Sequence, residues 1–437
     1  MHKITKSIVM IACFVVVTSL AYFFFDLETK RDDELRPVTI STAKINVLAI
    51  VTGAEPFEVY VERLNETFGP ALQKRFPGLE VEYLKPDIAD LSANNYVEEL
   101  EREIIEKNID VIYISFDPSD RIISKLIENQ FLYNLSTLVQ DINQFGMSQG
   151  TIMKLSHNND LYALAMTLNT VALVYNPELF DKYQVQVPVD FMTWNDVFTL
   201  ARQFPIDEVA GFSTYSGEPL PLILRMAMTN EISFVDDELG KATINTPEWR
   251  ELISLAINGL NNKYIVSDTS NEMFFSGKSA MTLISYETLM NLHNRYNSTI
   301  EWLAVTQPIN PLSAEATSVY PATDVWAIYE KSEESIASWD YIQFMNSFDS
   351  VETWHTMYPA KLLSNIDVMQ KFETDRVSAY YKLHPSDYKG SMLNQGRSQR
   401  FLEILQTEIG RIQRGEIDIN EGLRNMEKLG NELLQAK

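Results

Sequence analysis

The segment that most restricts how this chain can fold is "LYALAMTLNTVALVY", Leu161 to Tyr175, followed at once by Asn176-Pro177. No charged residue falls within it, yet Thr167, Asn169 and Thr170 interrupt the apolar run. It is too short and too polar to cross a bilayer, which needs about 20 consecutive apolar residues. It is also too alternating and too β-branched for an amphipathic helix. The pattern predicts extended chain buried on both sides with a polar break in the middle. The Asn-Pro step then ends the strand and opens a helix.

A chain of 437 residues with 45% hydrophobic content can fill more than one core, so two domains are expected. The formal net charge of −24 repels phosphate backbones and argues against a nucleic-acid partner. Cys13 is the single cysteine, which rules out an intramolecular disulfide and a cysteine metal cluster. A secreted chain of this size needs no disulfide staples, so that count does not place it in the cytoplasm.

The N-terminus bears on the compartment. Lys3 and Lys6 precede an uncharged apolar run from Ile8 to Phe25, and "DLETKRDDE" follows. Positive charge before the run and acidic charge after it favour a body outside the cytoplasm. The segment 1–25 reads as an uncleaved membrane anchor, as a secretory signal cut after Ser19-Leu20-Ala21, or as a lipoprotein signal ending at Cys13 in "MIAC". The anchor fits best, because few apolar residues precede Cys13 and more follow it. Residues 26–43 are charged, contain Pro37 and read as a tether.

Beyond the tether, "KINVLAIVT" is a buried strand, and Phe57, Tyr60, Leu64, Phe68 and Leu72 recur at helical spacing. Pro77-Gly78 stops that helix before a second strand at Leu79, Val81 and Tyr83. A helix over 97–107 leads into the buried strand "DVIYIS". This alternation opens an α/β sheet with right-handed crossovers. Further along, Thr193 with Asp196 predicts a capping box, and Thr246-Pro247 predicts a second helix start.

Several searches return nothing. There is no G-x-S-x-G, H-E-x-x-H or G-x-G-x-x-G. Gly277-Lys278-Ser279 lacks the earlier P-loop glycine, since Glu272 stands there. The histidines form no i, i+4 pair, so no metal or cofactor is expected.

The stretch "LYALAMTLNTVALVYNPELFDKYQVQVPVDFMTWNDVFTLARQF" resembles the signature region of the bacterial extracellular solute-binding proteins of the family-1 type, to which maltose-binding protein belongs. "NEMFFSGKSAMTLIS", "TQPINP" with "ATDVWAIYEKSEESIASWDYIQFMNS", and "MYPAKLLSN" resemble later elements of the same family, in the same order. The resemblance covers most of Ile45 to Leu434. It implies a two-lobed α/β periplasmic-binding-protein-like fold with a hinged interdomain cleft, no catalysis, a small-molecule ligand and an ABC permease as partner. The lobes expected from it are 44–165 with 271–319, and 166–270 with 320–437.

Site residues follow from strand ends, where open α/β sheets bind ligands. Gly53 and Glu55 follow the first strand, and Asp117 follows the third. Gly53 and Glu55 lie where a strand-end loop meets ligand, with a plain βα turn as the alternative; Asp117 offers an acceptor to hydroxyls, with an N-cap as the alternative. Asn169, in the expected lobe crossing, either meets ligand or locks the hinge. Tyr286 and Trp326 are expected as aromatic platforms for a sugar ring, with Tyr215, Tyr320 and Asp324 as further candidates. Core packing is the ordinary fate of such rings and is expected for Trp194, Trp249 and Trp339.

The resulting expectation is a monomeric extracytoplasmic receptor that delivers an oligosaccharide or related carbohydrate to an ABC importer. An anchored ligand-binding sensor of the same fold is the alternative, and an extracellular carbohydrate-active enzyme is the remote one.

Overall fold

The computed structural model describes residues 42–51, 55–87, 95–115, 119–215, 218–236, 239–318, 320–372, 375–386, 388 and 395–435. Gly53, Asp117, Cys13 and the apolar run Ile8–Phe25 lie outside the described residues. Among the described residues no helix is long and apolar enough to cross a membrane.

Two sheets organise the chain. Their strands, in chain order, are β1 (Ala43–Val51), β2 (Leu79–Leu84), β3 (Val111–Ser115), β4 (Ala163–Leu168), β5 (Val171–Tyr175), β6 (Ala210–Thr214), β7 (Ile265–Ser267), β8 (Ser279–Ser285), β9 (Leu303–Thr306), β10 (Ala322–Ile328) and β11 (Leu362–Leu363). The first sheet has the order β11-β4-β10-β3-β1-β2, and the second has β7-β6-β8-β5-β9. β1 runs parallel to β2 and β3, whereas β10 is antiparallel to both β3 and β4.

The helices cover these sheets because their apolar faces have nowhere else to go. Helix Phe57–Arg75 buries Tyr60, Leu64, Phe68 and Leu72 against the first lobe, the face its spacing predicts. Thr193 and Asp196 form the reciprocal capping box of helix Trp194–Ala201. Thr246 accepts from the Trp249 amide at the start of Pro247–Asn261. Asn176 ends β5 by accepting from the amides of Glu178 and Leu179, with Pro177 at the first helical position. Trp194, Trp249 and Trp339 are all buried in the cores.

The lobe boundaries differ from those expected. All of β4 lies in the first sheet, with Thr167 and Leu168 opposite Thr323 and Ala322, so the chain leaves that lobe at Asn169–Thr170 and not after Ala165. β8 and β9, expected within 271–319 of the first lobe, both pair with β5 in the second sheet. β10, expected in the second lobe, is a central strand of the first. Helices Gln395–Gln413 and Ile419–Gln435 belong to the second lobe, where Phe401, Leu405, Leu423 and Met426 are buried. The reason is physical. A strand buried on both faces, such as "ATDVWAI", suits the centre of either sheet, and only pairing partners decide which one it joins.

The chain therefore passes between lobes at Asn169–Thr170, again between β9 and β10, and a third time between Phe372 and Gln395. The first two crossings are tied to each other, because the Asn169 amide donates to the Pro321 carbonyl at 2.9 Å. The Thr170 hydroxyl donates to the Tyr380 carbonyl at 3.0 Å and so ties the first crossing to the third.

One close approach fixes the second lobe. A Cβ on Gly211 of β6 would lie 2.1 Å from the Ala201 carbonyl oxygen at the end of helix Trp194–Ala201. Backbone on both sides cannot yield as a side chain would. Gly211→Ala is expected to lose about 1–3 kcal/mol of stability through overpacking, read from the urea-unfolding midpoint.

Candidate functional site

The carboxyl ends of β3 and β4, the start of β10 and the chain just before β11 meet at one edge of the first sheet. Their pairing makes this unavoidable: Thr167 faces Thr323 and Leu168 faces Leu362, while Ile114 faces Val325. Ser115, Thr167, Asp324 and Lys361 are brought together there, beside the crossings that join the second lobe.

Asp324 is the centre of this edge. It has no solvent exposure, and its backbone adopts φ +51°, which non-glycine residues seldom take within a strand. Its Oδ1 accepts from Tyr113 at 2.8 Å and from Ser115 at 2.5 Å. Its Oδ2 accepts from Thr167 at 2.5 Å, and the Thr167 hydroxyl is also paired with that of Thr323. The Lys361 ammonium lies 4.0 Å from Oδ2. A buried carboxylate persists only when hydrogen bonds and a cation offset its lost hydration, and here it has both.

The hydrogen-bond chain continues inward from Tyr113 to Tyr60 at 2.7 Å, with both rings buried. Burial, reinforced by the Asp324 charge, pushes both phenols well above the usual tyrosine pKa, so they act as donors and never as phenolates. Burial disfavours the Lys361 ammonium, but Asp324 and Glu287 outweigh it and hold its pKa above the ordinary lysine value.

Two ion pairs flank this centre. Lys361 reaches Glu287 at 3.3 Å, and Glu287 belongs to helix Tyr286–Arg295, which follows β8 in the second lobe. That contact spans the lobes. On the other side, Arg63 of helix Phe57–Arg75 pairs with Glu55 at 2.5 Å and donates to the Tyr358 hydroxyl at 2.7 Å. Behind the loop from Tyr358 to Lys361, the buried His355 ring lies tilted against Phe372 at 4.3 Å.

The expected site residues separate into groups. Glu55 and Asp324 are in the cluster, but Asp324 is enclosed by protein donors and does not face an open cleft. Asn169 stands at the first crossing, half-buried, and its Oδ1 has no hydrogen-bond partner among the described residues. Its backbone, and not its side chain, makes the hinge bond. Tyr215 is 68% exposed just after β6, a free aromatic face at a strand end.

Three of the aromatic expectations are corrected. Trp326 is fully buried, stacked on Tyr113 at 4.0 Å and edge-on to Tyr341, so its ring faces are occupied by protein. Tyr286 is buried edge-on against Tyr380. Tyr320 is buried with its hydroxyl paired to Ser148 at 2.7 Å. Each lies where a strand or crossing passes through the core, and hydrophobic burial there wins over display. Reasoning from sequence missed Arg63, Ser115, Tyr113, Glu287, Tyr358 and Lys361. The signal available was the "MYPAKLLSN" segment, whose Tyr358 and Lys361 prove to be polar reach into this edge. An open groove of about 680 Å³ lined by Phe57, Val61, Glu62 and Tyr83, among others, contains none of these residues.

The model of the bacterial extracellular solute-binding protein family matches residues 72–378, and the chain belongs to that family. The fold is shared with an extracellular solute-binding protein family 1 member from Alicyclobacillus acidocaldarius, at 15% identity and TM-score 0.67, covering 92% of this chain and 100% of that one. The sugar-binding protein MalE from Xanthomonas citri aligns at 14% identity and TM-score 0.62, over 90% of this chain and 97% of that one. An ABC substrate-binding protein from Listeria monocytogenes, solved in complex with cycloalternan, aligns at 16% identity and TM-score 0.55, over 91% and 100%. No curated protein matches the sequence. The maltose-binding-protein-like resemblance read from the motifs is thus confirmed, and the chain is a two-lobed α/β solute-binding protein.

Tyr113→Phe removes one donor from Asp324 while keeping the ring on Trp326. It is expected to cost about 1–3 kcal/mol in denaturant unfolding. Burial also pulls the His355 pKa below the usual histidine value, against the opposing influence of the Lys361 backbone. The unfolded imidazole then takes up a proton that the folded one refuses, so stability is lost as pH falls below about 6.5. A melting curve series from pH 8 to pH 5 should show that loss, with a shallower slope in His355→Gln.

Proposed function

We propose that this protein is the extracytoplasmic substrate-binding component of an ABC importer, held at the membrane by its segment 1–25, and that it binds a carbohydrate between its lobes. It performs no chemistry. Ligand binds the closed arrangement of the lobes better than the open one, and the closed form is what a permease recognises.

The observation that carries this reading is the polar edge of the first sheet, gathered where the lobes meet and bridged to the second lobe through Lys361 and Glu287. Carboxylates, hydroxyls, an amide and two cations in alternation suit a neutral polyol, whose hydroxyls donate and accept at once. Glu55, Asn169 and Tyr215 are the residues proposed to meet the ligand. The free Oδ1 of Asn169 accepts a hydroxyl, and the exposed Tyr215 ring covers an apolar sugar face. The Xanthomonas relative is a sugar-binding protein and the Listeria relative holds cycloalternan, which supports a carbohydrate.

The purified chain, heated with a panel of mono- and oligosaccharides, is expected to melt higher with its ligand. A ligand at a hundred times its Kd adds about 2.7 kcal/mol to folded-state stability. Asn169→Ala should weaken the shift while leaving the ligand-free melting temperature near that of the parent. Failure of every sugar, together with a shift by an amine or peptide, would replace the carbohydrate with that class.

A further inference from the structure

We propose that Lys361 is a latch between the lobes: seated against Asp324 in the first lobe, it reaches Glu287 in the second and favours the lobe arrangement in which that contact is made. This deepens the reading above, on which it rests, by naming what sets the lobe equilibrium before ligand arrives.

The geometry separates Lys361 from the other ion pairs near the crossings. Arg376 pairs with Glu301 at 2.8 Å and Lys382 with Asp190 at 2.5 Å, but both cations lie in the third crossing segment itself. Lys361 instead precedes β11, whose Leu362 and Leu363 pair with β4 in the body of the first sheet. Glu287 is in the first turn of the helix directly after β8, a central strand of the second sheet. Opening the lobes must therefore stretch the 3.3 Å Lys361–Glu287 contact.

The loop that carries the lysine is also held in advance. Tyr358 donates its amide to the Trp354 carbonyl at 2.9 Å, and Lys361 donates its amide to the Tyr358 carbonyl at 3.0 Å. The side chain thus starts near its bridging position, which reduces the ordering cost that weakens most exposed ion pairs.

The two carboxylates are unequal partners. Asp324 has no exposure, so the lysine stays with it whether the lobes are open or closed. Glu287 is 30% exposed and regains water on opening. Only the Glu287 half is broken in the motion. That makes the latch modest, worth a several-fold bias in the ratio of closed to open forms, and therefore reversible by ligand and permease.

The test is small-angle X-ray scattering on the ligand-free chain, with Glu287 varied so that the Asp324–Lys361 pair survives. Glu287→Gln is expected to enlarge the radius of gyration, Glu287→Lys to enlarge it further, and Glu287→Asp to retain most of the parent's compactness. Salt near 1 M should move the parent toward the Gln variant while moving that variant less, because its Lys361–Glu287 pair is already gone. Far-UV circular dichroism spectra of the full-length variants that match the parent's show that the fold is intact. An unchanged radius in Glu287→Gln and Glu287→Lys overturns the latch. Because no ligand is present, that result is independent of the sugar panel, whose failure bears on the transport reading alone.

Discussion

The fully buried Asp324 carboxylate is the constraint around which the functional edge of this protein is arranged. A charge without water must be compensated from within the protein, and removing one ion of a buried ion pair typically costs about 3–5 kcal/mol. Two strands and a loop supply that compensation: Tyr113 and Ser115 from β3, Thr167 from β4, and Lys361 from the chain before β11. The β3 pair, Thr167 and Lys361 are far from one another in sequence. Their meeting fixes the register of β3, β10 and β4 at the end of the sheet where the lobes join. The left-handed backbone of Asp324 is the local cost of aiming the carboxylate there.

From that centre the organisation spreads both ways. Inward, Tyr60, Tyr113 and Trp326 form an aromatic stack that carries the network into the core of the first lobe. Outward, Lys361 meets Glu287, and the crossings are tied by the Asn169 and Thr170 bonds to Pro321 and Tyr380. The site is thus held by buried hydrogen bonds on the first-lobe side and by a partly exposed ion pair on the other. That division fits the lobe closure proposed above, in which one wall is preorganised.

Much of the fold is legible in the sequence because it is local. The helix caps at Thr193, Thr246 and Asn176 are short-range hydrogen bonds, and their residue types and spacings announce them. The family is legible for a related reason, since its motifs lie on strand and helix boundaries that local chemistry restricts. Lobe membership is not. "SAMTLIS" and "ATDVWAI" have the same buried pattern, yet one is central to the second sheet and the other to the first. The aromatic candidates failed similarly, because Trp326, Tyr286 and Tyr320 occupy positions whose burial depends on distant partners.

The sequence by itself determined the α/β class, the helix boundaries, the two-lobed family and the polar break at Asn169 within an uncharged strand. The two-lobed family rests on its resemblance to known motifs, and the others on periodicity or on contacts a few residues apart. Tertiary structure alone decided that the chain leaves the first lobe after Leu168, that Asp324 is enclosed, and that Arg63, Tyr358, Lys361 and Glu287 gather beside it. Asp324 and Thr167 are separated by 157 positions, and Asp324 and Tyr113 by 211. Pairing across such distances is set by which strands share a sheet, and no local pattern encodes that choice.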